Sequence, residues 1–69
     1  MSYLLFGGGY KMTLEELLDK TCKNEVYLYD KKINDVQDWF TYEELSREQL
    51  NSEVIDWEIT YKGYLHAEI

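Results

Sequence analysis

From Ile55 to Ile69 the chain alternates apolar and polar residues on both sides of a single glycine, and few conformations satisfy that pattern. Ile55, Trp57 and Ile59 alternate with Asp56, Glu58 and Thr60; Leu65, Ala67 and Ile69 alternate with Tyr64, His66 and Glu68. Period two is the mark of a strand with one buried face. A two-residue Lys62-Gly63 turn would pair Ile59 with His66 and Trp57 with Glu68, mixing polar and apolar side chains on both faces. A three-residue loop, Tyr61-Lys62-Gly63, pairs Ile59 with Leu65, Trp57 with Ala67 and Ile55 with Ile69. A one-residue slip turns every side chain to the other face, so a buried face selects the longer loop. Its usual form, a type I turn closed by a glycine bulge, requires positive φ at Gly63. The second face then carries Asp56 opposite Glu68, an unfavourable like-charge pair, and Glu58 beside His66. Such charges are not needed for folding and hint at an interaction surface.

Upstream, Thr13-Leu14-Glu15-Glu16 reads as a capping box, with Met12 and Leu17 as the staple around it. Leu14, Leu17, Leu18, Thr21 and Cys22 fall on one helical face, ending near Lys23-Asn24. Cys22 is expected in the core. Glu25–Asp30 (EVYLYD) is rich in strand formers, with Val26 and Leu28 on one face and Tyr27 and Tyr29 on the other. Val36–Phe40 fits a short edge strand or an ordered loop equally well. Thr41-Tyr42-Glu43-Glu44 repeats the capping box and predicts a second helix to about Leu50, weakly apolar and shallow, or a short 3₁₀ element. The two boxes lie 28 residues apart, and two helix-then-strand units with the same capping chemistry account for the echo better than duplication does.

The expected fold is α+β: an antiparallel sheet of three or four strands, one or two helices on one face, and a C-terminal β-hairpin. Residues 12–69 form a single domain. Residues 1–11 stand apart, and two readings apply to them. Tyr3–Phe6 forms an edge strand ahead of a flexible Gly7–Gly9; or Met12 is the start, since three glycine codons can encode a purine-rich ribosome-binding site.

The net charge of −7 is not evenly spread. Residues 35–58 hold eight carboxylates against Arg47, a surplus of seven, and the rest of the chain is balanced. Direct nucleic-acid binding is disfavoured, because phosphate contacts need a basic face. A basic protein partner is favoured. The candidate contact residues are Asp35, Asp38, Glu43, Glu44, Glu48, Asp56 and Glu58, with Trp39 and Tyr42 as aromatic anchors; Trp57 is assigned to the core. No catalytic constellation or phosphate loop is present, so a non-enzymatic protein without cofactor is expected. His66 with Asp56, Glu58 and Glu68 reads as a solvated ion-pair face rather than a metal cage. One cysteine excludes an internal disulfide, and no apolar run approaches the ~18 residues of a membrane helix. A cytoplasmic protein is the expectation.

A tiny acidic frame with a capped T-x-E-E-L helix, an E-V-Y-L-Y-D strand, an acidic helix and a terminal hairpin resembles the small proteins encoded by phages and mobile elements of Gram-positive bacteria. The resemblance spans Met12–Ile69. Some of that class are anti-CRISPR or other anti-defence proteins that block a nuclease's basic groove by charge mimicry. It implies an inhibitor of a basic, nucleic-acid-binding protein such as a CRISPR effector nuclease, in the cytoplasm of a bacterial host. No residue role carries over from it. The alternative is a structural or self-associating protein that dimerises through a sheet edge, with Tyr61 and Tyr64 contributing.

Overall fold

The computed structural model describes residues Lys11–Ile69. The expectations for Tyr3–Phe6 and Gly7–Gly9 lie outside the described residues. The element order is α1 (Leu14–Thr21), β1 (Glu25–Asp30), β2 (Val36–Thr41), a 3₁₀ turn (Tyr42–Glu44), α2 (Arg47–Leu50), β3 (Asp56–Ile59) and β4 (Leu65–Glu68). The strands form one sheet in the order β2-β1-β4-β3. Both hairpins are antiparallel, but β1 and β4 pair in parallel, Tyr27 beside His66 and Tyr29 beside Glu68. The sheet is therefore mixed, not purely antiparallel. Local alternation specifies the register within each hairpin; it carries no information on how two hairpins meet. Here they meet through β1 and β4, the strands that each alternate buried with half-buried residues.

The C-terminal hairpin has the expected register over β3: Asp56 with Glu68, Trp57 with Ala67, Glu58 with His66 and Ile59 with Leu65. The expected Ile55–Ile69 pair does not form: Ile55 precedes the strand and donates its N–H to the Glu68 carbonyl, while Ile69 N–H turns to Tyr29 of β1. The loop closes with Gly63 N–H donating to the Thr60 carbonyl at 2.8 Å, and Gly63 has φ 91°. Val36–Thr41 is a strand, paired along its whole length with β1.

One core joins Leu14, Leu17 and Leu18 of α1, Val26 and Leu28 of β1, Leu65 and Ala67 of β4, and Leu45, Leu50 and Ile69. Each such leucine contributes about 1.5–3 kcal/mol on burial. The apolar side of β3 does not join it: Trp57 and Ile59 remain 38% and 44% exposed, and Ile55, just before the strand, 58%. This corrects the assignment of Trp57 to the core. An eight-residue helix is about 12 Å long and 10–12 Å wide, which covers two strands spaced about 4.8 Å apart and leaves the edges bare.

α1 begins as expected: Thr13 N–H donates to Glu16 Oε1 and Glu16 N–H to Thr13 Oγ1. Its end differs. Thr21 Oγ1 donates back to the Leu17 carbonyl at 2.7 Å, and the chain turns left-handed at Cys22 (φ 57°). Lys23 N–H then reaches the Leu18 carbonyl and Cys22 N–H the Asp19 carbonyl, a Schellman closure. Cys22 is exposed, not core, because the left-handed residue turns its side chain off the helical face. A non-glycine residue there is strained by about 1 kcal/mol. Cys22→Gly should accordingly raise stability by about that amount in urea denaturation; an unchanged or lower midpoint would contradict the strain.

The second helix is broken in two. Glu44 Oε1 accepts from Thr41 N–H at 2.8 Å, but Leu45 is extended (ψ 137°). A further capping box, Ser46 with Gln49, starts the single turn of α2. Two competing N-caps five residues apart leave room only for a 3₁₀ turn between them. The segment before β3 is tied to the start of α1 by Leu14 N–H to Ser52 carbonyl and Val54 N–H to Met12 carbonyl. No helix of the described residues is long and apolar enough to cross a membrane.

Candidate protein-binding face

The helices cover one side of the sheet. Strand parity sends Tyr27 and Tyr29 of β1 to the other, with Trp39 of β2 opposite Tyr27, His66 of β4 beside it, and Asp56 and Glu58 of β3 opposite Glu68 and His66. The aromatics form one contiguous cluster. The Tyr27 ring lies 5.4 Å from Tyr29, 5.2 Å from Trp39 and 5.3 Å from His66, and Trp39 lies 5.6 Å from Tyr64. Most of these contacts are edge-to-face, the favoured arrangement of ring quadrupoles. Trp39 is 39% and Tyr64 52% exposed, so the cluster is an accessible surface.

Carboxylates edge this aromatic ground on the β3 side. Asp56, Glu58, Glu68, Tyr29 and His66 line an open hollow of about 350 Å³. Among the described residues Glu68 meets Lys31 at 3.6 Å, while neither Asp56 nor Glu58 has an ion-pair partner. The His66 ring rests against Tyr27 and Trp39. The face can therefore receive a cation over π-surfaces and neutralise it with carboxylates. Among the described residues no group of three or more His, Cys, Asp or Glu side chains is placed to hold a metal ion.

Of the nine candidate contact residues, Trp39, Asp56 and Glu58 lie on this face. Asp38 pairs with Leu28 and so points to the helix side, on the edge strand farthest from β3. Asp35 (φ 54°) sits between the turn and the start of β2. Glu43, Glu44 and Glu48 lie on the connection that contains the 3₁₀ turn and α2, off the sheet. Glu44 is committed to Thr41. Tyr42 donates its hydroxyl to Glu15 Oε2 at 2.8 Å, and Arg47 pairs with Glu15 Oε1 at 2.9 Å. The Tyr42 hydrogen bond, more than the Arg47 charge, holds the Glu15 carboxyl below its ordinary range, and the same bond raises the Tyr42 hydroxyl. Contiguity in sequence did not become one surface: the strands at either end of the acidic block fall on opposite edges, with their acids on opposite faces. Reading the sequence by itself missed Tyr27, Tyr29 and His66 as neighbours of Trp39; the aromatic alternation in EVYLYD was the available signal.

Among the described residues the one buried side-chain carboxylate is Asp30, on the helix side at the end of β1. It accepts from Ile33 N–H at 2.8 Å, Asn34 N–H at 3.3 Å and the Gln49 side-chain amide at 2.8 Å. Burial alone would raise its pKa. The Gln49 amide and the N–H groups of Ile33, Asn34 and Lys32 outweigh burial and hold it below the usual Asp value. With every lone pair directed at a donor of the fold, Asp30 is a structural group.

No protein-family model, curated protein or solved structure matches the chain.

Proposed function

We propose that the protein is a non-catalytic binding module that engages a basic partner protein through the open face of its sheet. The observation that supports this reading is the aromatic cluster of Tyr27, Tyr29, His66 and the exposed Trp39 and Tyr64, bordered by Asp56 and Glu58, which have no ion-pair partner among the described residues. Aromatic side chains supply large contact area at low entropic cost, and carboxylates beside them select and steer cations. Where the partner's basic surface is a nucleic-acid groove, occupancy by this face inhibits it by exclusion, the mode of an anti-defence protein. Only part of the acidic block faces one way, so the mimicry rests on Asp56, Glu58 and Glu68 rather than on the whole block.

The test is capture of a partner from bacterial lysate. The captured protein should be basic, should dissociate between about 0.05 and 0.5 M salt, and should lose its own nucleic-acid binding in the complex. Trp39→Ala and the Asp56→Lys/Glu58→Lys pair should each weaken capture by about tenfold or more. Capture untouched by both variants would remove the basis of the proposal.

A further inference from the structure

Among the described residues β3 is an edge strand with nothing paired on its outer side, and that edge is unusual. Thr60 N–H donates to the Tyr64 carbonyl, so the antiparallel alternation turns the N–H and C=O groups of Trp57 and Ile59 away from β4, toward solvent. The outward Trp57 N–H is taken by the side chain of the residue before it, Asp56 Oδ1 at 2.9 Å. The opposite edge repeats the device: Trp39 N–H donates to Asp38 Oδ1 at 2.7 Å. Each edge strand thus carries an Asp-Trp pair in which the carboxylate occupies a tryptophan N–H, a way of blunting an edge against indiscriminate pairing.

The two sides of β3 differ in chemistry. Trp57 and Ile59 are exposed apolar residues on one side, and Asp56 and Glu58 stand on the other. A second copy added antiparallel at this edge would set Asp56 and Glu58 against their own duplicates, which is destabilising. An extended segment in which Lys or Arg alternates with apolar residues complements both sides at once, since alternate residues on a strand are about 7 Å apart on either chain.

We infer that the β3 edge admits, by strand addition, an extended segment of the partner that alternates basic and apolar residues, with Asp56 as the selector. The incoming cation draws the Asp56 carboxylate off Trp57, and an incoming carbonyl takes the released N–H. A strand lacking that cation leaves the N–H occupied. The inference rests on the basic-partner reading above and adds how the partner is held.

The probe is a capped Lys-Val-Lys-Val-Lys-Val peptide, followed by amide NMR and hydrogen exchange. The expected result is that exchange at the Trp57 and Ile59 amides slows by about tenfold or more. Neither a Lys-Lys-Lys-Val-Val-Val peptide nor a Glu-Val alternating one should do this. In Asp56→Asn, which keeps an oxygen for Trp57 N–H without the charge, the preference for Lys-Val over Glu-Val should fall at least about threefold. Equal protection by both lysine peptides, or none by either, overturns the inference. If the Trp39 and His66 signals still shift with lysine peptides, the open-face reading survives that failure. Protection at Trp57 with silent Trp39 and His66 signals supports the edge and removes the open face. Concentration-dependent protection without peptide means that a second copy is the occupant. Loss of protection on deleting residues 1–10 means that the chain's own segment is. Either of these overturns the inference.

Discussion

Replacing Asp30 by alanine should cost about 3 kcal/mol. The substitution leaves the Gln49 amide and the N–H groups of Ile33 and Asn34 without their acceptor in a site closed to water. A domain of 69 residues has a total stability of roughly 3–10 kcal/mol, so Asp30→Ala should lose between about a third and all of its margin against unfolding. Urea titration followed by tryptophan fluorescence measures this; a loss below about 1 kcal/mol would show that the donors find water or other partners. Asp30→Asn keeps one acceptor oxygen and should lose less. The lowered pKa also fixes the acid response. In the unfolded chain Asp30 titrates near the ordinary value of about 3.9, and in the folded chain below it. The unfolded state therefore takes up the proton first. The stabilisation is complete above about pH 4 and is lost as pH falls through the folded value. Asp30→Asn should lack that component of the acid loss.

Leu28→Ala should cost about 3 kcal/mol through the cavity it leaves. Leu28 is fully buried in the central strand, between Asp38 of β2 and Ala67 of β4, in the cluster that includes the α1 leucines. Ile59 is the control. It points to the same side of the sheet but lies 44% exposed beyond the reach of the helix, and Ile59→Ala should cost under about 1 kcal/mol. Comparable losses in urea at the two positions would mean that the core extends over β3 after all.

The contrast between those two positions also marks how far the residues alone could be read. Wherever two adjacent segments share a turn, local chemistry sufficed: Gly63 has the required positive φ, and the β3–β4 register follows from alternation. Thr13 caps α1 because the box needs only four residues. What depended on distant packing could not be read. Alternation places Trp57 on the helix side of the sheet, but its burial depends on a two-turn helix that stops short of the edge. Cys22 fits the helical stripe by spacing, yet the back-bond from Thr21 ends the helix one residue before it. The Asp30–Gln49 contact joins residues nineteen apart and left no periodic trace. The candidate face suffered most. Asp56, Glu58 and Trp39 were identifiable as acid and anchor, but their alignment with Tyr27, Tyr29 and His66 depends on the parallel β1–β4 pairing.

That seam has a consequence for how the molecule acquires its shape. Each hairpin brings together near neighbours, whereas Tyr27 and His66 are far apart along the chain. The entropy of closing that long loop has to be met before either half gains a complete core. Neither hairpin has a finished interior until the other arrives, so the two halves should assemble in a single cooperative event, and an interruption anywhere between them would leave both without a partner.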